Sequence, residues 1–289
     1  MKYFVALLVV SITAINVNYS QNNVALSEIE KRNIDGRTII FSEGEELTGI
    51  VYENYTQKKL QYSVKDGKKE GPYVMYYENG NLKRRTSYKN DKHHGDYEEY
   101  YENGQLKLKT SFVNGRYDGA VEVYYENGNV KGKGSYVEGK YDGSIEKFYE
   151  SGQIKNRSFY TNGLKNGEFV RYYENGVLKG RSNYLEDQLD GLYVTYYENS
   201  VLYIKANYIE GKKDGTFVMN YDNGKLKRSV TYKKGQLDGP FMTYFENGKL
   251  HEKGTYKNGV KDGIFEKYDE SGFLAQNIKF RNGEKIKSE

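Results

Sequence analysis

A glycine recurs at one fixed spacing through most of this 289-residue chain. The interval is 24 residues each time, and the glycines are Gly71, Gly95, Gly119, Gly143, Gly167, Gly191, Gly215, Gly239 and Gly263. A fixed period of this length is typical of repeat architectures, in which each unit contacts only its neighbours. The usual expectation of one or two globular domains for a chain of this length therefore does not apply.

Each unit reads as two strand-like runs around an Asn-Gly pair. In the first strict unit the runs are residues 72–78 and 81–88, on either side of Asn79-Gly80. Such a pair predicts a β-hairpin with a two-residue type I′ turn, in which both turn residues have positive φ. The second connection in each unit, such as residues 113–119, is longer and rich in Gly, Asn and Asp. It predicts a looser loop.

The type I′ turn would fix which residues share a face of the sheet. It places Tyr77 opposite Leu82 and Tyr76 opposite Lys83. One face then carries a stabilising stripe that begins with Tyr73, Tyr77, Leu82 and Tyr88 and recurs as Tyr97, Tyr101, Leu106 and Phe112. The predicted fold is all-β: an elongated, twisted antiparallel sheet of about ten tandem 24-residue β-hairpins.

The opposite face is the candidate binding face, because aromatic and basic residues recur there. They are Tyr76, Tyr100, Tyr124, Phe148, Tyr172, Tyr196 and Tyr244, with Lys83, Lys107, Lys131, Lys179 and Lys227. Tyrosine supplies a large contact area at small entropic cost, which is why binding faces are rich in it. The alternative interpretation is that these rings only stack on one another to hold a single-layer sheet together.

Composition excludes several kinds of protein. The 44 basic and 40 acidic residues are interspersed, which is typical of a mixed surface and not of a nucleic-acid-binding arm. With no cysteine in the chain, disulfides, thiolate metal sites and cysteine nucleophiles are excluded. The 32 tyrosines replace aliphatic residues, so a wide apolar core is not expected.

No catalytic residue, cofactor site or metal site is predicted. Residues 134–141 approach a phosphate-binding loop, but Tyr141 stands where Ser or Thr should hold magnesium and no helix follows. His93 and His94 are adjacent and predicted to be solvated loop residues, while His251 lies far away in the sequence. Neighbouring histidines without further ligands do not make a metal site.

The N-terminal residues 1–20 predict a signal peptide. Lys2 precedes an apolar run, and cleavage is expected near Ser20-Gln21, so the mature chain would be periplasmic, surface-attached or secreted. A short anchor or a buried strand is the alternative. Residues 21–48 are predicted to contain a capping hairpin, with disorder over residues 21–30, and residues 49–289 to form the repeat array, with strict units from 71 to 262.

The repeated Glu-Asn-Gly, aliphatic-Lys, Tyr and closing Asp-Gly resemble the variant MORN repeat family, including bacterial proteins commonly labelled YwqK-family antitoxins. The resemblance covers about residues 45–287. Asn220 departs from it, because it replaces one of the recurring aromatics. The resemblance implies scaffolds, membrane-associated proteins or antitoxins, with no shared catalytic residue.

These observations together predict an exported, non-enzymatic scaffold that binds a protein partner, with an antitoxin-like or immunity-like role as one version. Two other functions stay open. One is a surface adhesin whose tyrosines stack on glycan rings. The other is attachment to an anionic membrane through the lysine rows, against which the net charge of only +4 argues.

Overall fold

The computed structural model describes residues 22–35, 37–53 and 59–286. The chain divides into two compact units, residues 1–92 and 93–289. The described residues of both units are almost entirely β-strands, with one 3-10 turn and no α-helix among them. The all-β prediction is confirmed. The predicted signal peptide lies outside the described residues, so it stays a prediction.

The first unit combines a small hairpin sheet with the beginning of the repeats. Its strands are β1 (Asn22–Ala25), β2 (Ile29–Ile34), β3 (Arg37–Ser42), β4 (Glu45–Glu46), β5 (Gly49–Glu53), β6 (Leu60–Lys65), β7 (Lys68–Tyr76) and β8 (Leu82–Lys89). Strands β2, β3 and β4 form one antiparallel sheet, and β5 to β8 pair antiparallel in sequence order. Strand β1 pairs with β5 in the parallel direction.

An aliphatic core holds the first unit together. It contains Val24, Ile40, Leu47, Val51, Leu60, Tyr62 and Val64. The disorder predicted for residues 21–30 is wrong over the described residues, because Val24 packs into this core opposite the fully buried Val51. The burial of these apolar side chains offsets the conformational entropy that is lost when this segment becomes ordered.

The second unit is a run of antiparallel hairpins. Its strands are β9 (Lys92–Tyr100), β10 (Leu106–Val113), β11 (Arg116–Tyr117), β12 (Gly119–Tyr124), β13 (Val130–Val137), β14 (Lys140–Tyr141), β15 (Gly143–Phe148), β16 (Ile154–Thr161), β17 (Leu164–Tyr172), β18 (Leu178–Leu185), β19 (Gln188–Tyr196), β20 (Leu202–Ile209), β21 (Lys212–Lys213), β22 (Gly215–Asn220), β23 (Leu226–Lys233), β24 (Gln236–Tyr244), β25 (Leu250–Lys257), β26 (Val260–Lys261), β27 (Gly263–Tyr268), β28 (Leu274–Arg281) and β29 (Glu284–Lys285). The predicted tandem hairpins are confirmed.

The two hairpin connections have the opposite turn types to those predicted. At the Asn-Gly of the first connection only Gly80 has positive φ, and its N–H donates to the Tyr77 carbonyl at 3.0 Å. This is a three-residue loop that ends in a glycine bulge. At the second connection both Asn114 and Gly115 have positive φ, at 51° and 80°, which makes it the type I′ turn.

The extra residue of the first connection changes the register of every hairpin. Tyr76 pairs with Leu82, and Lys83 is the additional residue of a bulge. The same shift recurs in the second unit, where Tyr100 pairs with Leu106. The predicted pairs Tyr77 with Leu82 and Tyr76 with Lys83 are therefore wrong, because a bulge reverses the alternation of side chains beyond it.

Candidate functional site

The two faces of the second unit carry different side chains. The packing face holds a row in which a large residue stands opposite a small one in most hairpins: Tyr97 opposite Thr110, Val121 opposite Gly134, Ile145 opposite Ser158, Phe169 opposite Ser182, Tyr193 opposite Ala206, Phe217 opposite Val230 and Phe241 opposite Gly254. Most of the large residues are buried. This row is the core of the repeats.

Stacked rings extend the packing face beside that row. The centroids of Phe112 and Tyr117 lie 4.4 Å apart, those of Tyr117 and Tyr136 lie 5.0 Å apart, and those of Tyr136 and Tyr141 lie 4.3 Å apart. Burial, together with a hydrogen bond that the Tyr136 hydroxyl makes to Tyr141, raises the pKa of Tyr136. His93 also lies against Phe112, at 5.1 Å between centroids, so the prediction of a solvated His93 is wrong.

A tyrosine directly after the recurring aromatic position joins one repeat to the next. We call these residues the clamp tyrosines. Tyr101 Oη donates to the Tyr124 carbonyl at 2.8 Å. The same bond recurs from Tyr125 to Phe148, Tyr149 to Tyr172, Tyr173 to Tyr196, Tyr197 to Asn220 and Tyr221 to Tyr244. The clamp tyrosines are therefore structural.

The five candidate lysines lie over the clamp tyrosines, and not beside the candidate aromatics. The Nζ atoms of Lys83, Lys107, Lys131, Lys179 and Lys227 are 5.1, 5.7, 5.3, 4.8 and 4.9 Å from the ring centroids of Tyr77, Tyr101, Tyr125, Tyr173 and Tyr221. Lys107 also pairs at 2.8 Å with Glu99, which shares the face of Tyr97. The prediction that lysines and aromatics share one face is wrong, because the bulge carries the lysines to the packing face.

The candidate aromatics of the second unit lie on the opposite face, which we call the tyrosine face. They are Tyr100, Tyr124, Phe148, Tyr172, Tyr196 and Tyr244, and they pair with Leu106, Val130, Ile154, Leu178, Leu202 and Leu250. All six aromatics are half-buried. Tyr76, in the first unit, pairs with Leu82 in the same way.

Carboxylates engage the first two hydroxyls of the tyrosine face. Tyr100 Oη donates to Glu98 at 2.7 Å, and Tyr124 Oη donates to Glu122 at 2.5 Å. The bond to Glu122, together with burial, raises the pKa of Tyr124 to about 12. Both hydroxyls are therefore engaged as donors, and that of Tyr124 stays protonated at neutral pH.

A row of charges runs along the centre of the tyrosine face in strands β9–β16, which we call the charge-paired stretch. Successive strands contribute Glu98, Lys109, Glu122, Lys133, Glu146 and Arg157, each opposite the next. Glu146 pairs with Lys133 at 3.2 Å and with Arg157 at 2.7 Å. Burial raises the pKa of Glu146, but the hydrogen bonds from Arg157 and Lys133 outweigh it, so the net shift is downward.

The same row changes character in strands β17–β24, which we call the valine stretch. Its residues are Val170, Arg181, Val194, Lys205, Val218, Ser229 and Met242. Arg181 and Lys205 are exposed, and neither forms an ion pair with any described residue. The sequence contains a signal for this change, because one position of the repeat is Glu at 98, 122 and 146 and Val at 170, 194 and 218.

Within residues 22–35, 37–53 and 59–286, no group of three or more His, Asp or Glu side chains could hold a metal ion. In the same part of the chain, no helix has the length and apolar character needed to cross a membrane.

Structural comparisons give only weak likenesses. A crystal structure of TcdB2-TccC3-Cdc42 shares 10% identity at a TM-score of 0.19, over 85% of this chain and 15% of that one. A crystal structure of TcdB2-TccC3 shares 11% sequence identity at a TM-score of 0.15, over 81% of this chain and 17% of that one. A porin-like protein from Bacteroides uniformis shares 7% sequence identity at a TM-score of 0.17, over 86% of this chain and 91% of that one. This chain thus spans less than a fifth of the first two, and no curated protein matches it.

The sequence comparison is decisive for the family. The profile of the MORN repeat variant matches residues 69–90, 94–114, 117–138, 141–162, 165–186, 189–210, 213–234 and 237–258, which is more than half of the chain. MORN repeats are generally scaffolds that bind proteins or membranes, and they are not known as enzymes. The closer resemblance to YwqK-family antitoxins stays a prediction. The chain belongs to the MORN repeat variant family.

Proposed function

We propose that this chain is an exported, non-enzymatic repeat scaffold that binds a protein partner through the valine stretch of its tyrosine face. The family supports a binding scaffold. The apolar run in residues 1–20 supports export. An antitoxin-like or immunity-like role is one version of this function, with the toxin as the partner.

The observation that carries the proposal is the loss of charge pairing in the valine stretch. In the charge-paired stretch each central charge faces an opposite charge, so that surface is already neutralised. In the valine stretch, exposed Arg181 and Lys205 alternate with valines, and Leu192 beside them is 36% exposed. Apolar side chains flanked by unpaired cations are complementary to a partner that presents apolar groups and carboxylates.

Strand spacing adds a geometric argument. Arg181 and Lys205 lie two strands apart in one row, so their Cα atoms are separated by about 10 Å. Tyr172 and Tyr196 border the same row on the same strands as Val170 and Val194. A partner that spans this distance contacts both cations and both rings at once.

Crosslinked capture from native cells tests the proposal, with the full tagged chain as bait. The test variant is Arg181→Glu with Lys205→Glu. The matched control is Lys257→Glu with Lys279→Glu, which makes the same change in charge at exposed positions outside the valine stretch. We expect one protein to be captured by the wild type and by the control, and to be lost from the test variant. Circular dichroism checks that both variants fold.

Two results would overturn the proposal. If both double variants lose the captured protein equally, net charge and not the valine stretch controls binding. If no bait captures a specific protein, the protein-binding function is wrong. Glycan arrays and liposome sedimentation would then test the two other functions that the sequence leaves open.

A further inference from the structure

The first unit contains a cationic pocket. Its volume is about 650 Å³. The charged residues that line it are Lys31, Arg37, Lys68, Lys69, Lys92 and Asp91. Five cationic side chains thus surround one carboxylate. The clamp tyrosines and the stacked rings explain the repeats, but they do not explain this concentration of charge.

The fold brings these residues together from three segments. Lys31 on β2 pairs with Ile40 on β3, and Ile40 points into the aliphatic core. The Ile40 N–H donates to the Gly67 carbonyl at 2.8 Å, which holds this hairpin against the turn before β7. A Cβ on Gly67 would lie 2.4 Å from Ile39 Cγ2, so this close approach requires glycine. Lys68 and Lys69 follow that turn directly.

The nearby carboxylates are already engaged with the backbone. Asp91 Oδ1 accepts a hydrogen bond from the Lys69 N–H at 2.8 Å. Glu70 Oε2 accepts one from the Asn90 N–H, also at 2.8 Å. These bonds hold the turn in which Asn90 and Asp91 both have positive φ. Neither carboxylate is therefore placed mainly as a counter-ion for the pocket.

The cations have few partners of their own. Lys31, Arg37, Lys68 and Lys92 form no ion pair with any described residue. Lys69 Nζ lies 5.0 Å from the Tyr88 ring centroid and 5.8 Å from that of Tyr62. Burial lowers the pKa of Lys69, with Asp91 opposing this shift and Lys31 adding to it. Clustered cations in a concave surface repel one another and raise the local concentration of anions.

We propose that this pocket binds a multiply charged oxyanion of the phosphate-ester class. A single carboxylate would neutralise only part of the positive charge, whereas a phosphate group carries more charge and three terminal oxygens. Arg37 offers the planar pair of donors that suits phosphate oxygens, and the lysines add point charges. The volume lies in the range of small-molecule sites. Phosphate of this kind occurs both in free esters and in lipid headgroups.

The test measures binding to the full chain in two arms. In the first, inorganic pyrophosphate is titrated by calorimetry. In the second, the protein is sedimented with vesicles of phosphatidylcholine, with and without phosphatidic acid. The variant is Arg37→Gln with Lys68→Gln, since both side chains lie at the pocket and neither belongs to the aliphatic core. The control is Lys233→Gln with Lys257→Gln in the second unit. Lys69 is left unchanged because its ammonium packs over two rings.

We expect wild-type binding to be saturable. The pocket variant should weaken it at least about tenfold, because one or two charge-assisted contacts are lost, and the control should leave it unchanged. Weaker pyrophosphate binding by the pocket variant identifies a soluble phosphate compound as the ligand class. If the pocket variant loses binding only to the vesicles that contain phosphatidic acid, the ligand is a lipid headgroup. The proposal is overturned if neither probe binds, or if both double variants weaken binding equally while circular dichroism shows both folded. This inference does not depend on the tyrosine face, so the two proposals fail separately.

Discussion

The charge-paired stretch and the valine stretch have the same repeat and the same turns, yet they are stabilised differently. In the charge-paired stretch the packing face carries stacked tyrosines beside Val121 and Gly134, and the tyrosine face carries ion pairs. In the valine stretch, Phe217 and Phe241 pack into one buried cluster with Ala206 and Val230. One hairpin scaffold therefore tolerates either electrostatic or apolar stabilisation, and in the valine stretch the cations Arg181 and Lys205 stand opposite valines and not carboxylates.

The comparison predicts that deleting a core side chain costs most in the valine stretch. Phe217→Ala should lower the free energy of unfolding by about 3 to 5 kcal/mol, because a buried ring is lost and its cavity is retained. Val121→Ala, at the same position of the repeat, should cost about 1 to 2 kcal/mol. Urea denaturation followed by circular dichroism measures both. Phe273→Ala is the control, since that ring is 73% exposed. Equal costs for Phe217 and Val121 would contradict the comparison.

Two glycines at the same repeat position sharpen the contrast: Gly134 lies in the charge-paired stretch, and Gly254 packs against Phe265 of the buried cluster that contains Phe217 and Phe241. Gly254→Ala would place a Cβ 2.5 Å from ring atoms of Phe265, which cannot bend away, so a cost of about 2 to 3 kcal/mol is expected. Gly134→Ala would meet the end of the Ile145 side chain at 2.2 Å, which can rotate, so the cost should be about 1 kcal/mol. Thermal unfolding of both variants measures the two losses of stability, and the loss should be larger for Gly254→Ala.

A second-site change shows whether the clash is the cause. Phe265→Ile should recover part of the loss in Gly254→Ala, giving a favourable coupling energy in a double-mutant cycle. Additive losses would mean that glycine matters at position 254 for a reason other than space.

Adjacent tyrosines should differ in a way that composition does not reveal. Tyr173→Phe removes the hydroxyl that donates to the Tyr196 carbonyl at 3.0 Å, with an expected cost of about 1 kcal/mol. Tyr172→Phe is the matched control, because its hydroxyl donates to no described residue. Chemical denaturation of the two variants separates them. A larger effect at Tyr172 would mean that the roles of the two rings are reversed.

The period predicts the all-β class and the tandem hairpins, because glycine spacing and strand composition are local features that the fold preserves. It does not predict the turn types. Asn79-Gly80 and Asn114-Gly115 are the same dipeptide, yet only the second is a type I′ turn. At the first, the Asn79 side chain accepts a bond from the Asn81 N–H at 2.9 Å, which stabilises the bulged loop.

The error in turn type explains the error in the candidate site. A one-residue shift moves a strand's side chains to the other face, so the predicted turn places Lys107 on the face of Tyr100, whereas Lys107 lies over Tyr101. The prediction that the candidate aromatics share one face does not depend on the turn type, because these residues precede the turn, and they do share a face in the second unit. The sequence does not predict the unpaired cations of the valine stretch, because the register must be known before one can say which residues of neighbouring strands face each other.

The smallest expected effect tests the electrostatic half of the comparison. Glu146→Gln removes the ion pairs with Lys133 and Arg157, which should cost about 1 kcal/mol at neutral pH, since these pairs are partly exposed. The folded pKa of Glu146 is lowered, so its contribution is complete above the unfolded value of about 4.3 and is lost as the pH falls through the folded pKa. The difference between wild type and variant should therefore shrink on acidification below about pH 4, and also in about 1 M salt. Glu168→Gln, at an exposed carboxylate in the valine stretch that forms no ion pair with any described residue, should show no such dependence on salt. A difference at Glu146 that ignores both pH and salt would mean that its side chain stabilises the sheet by packing, and the two stretches would then differ in degree only.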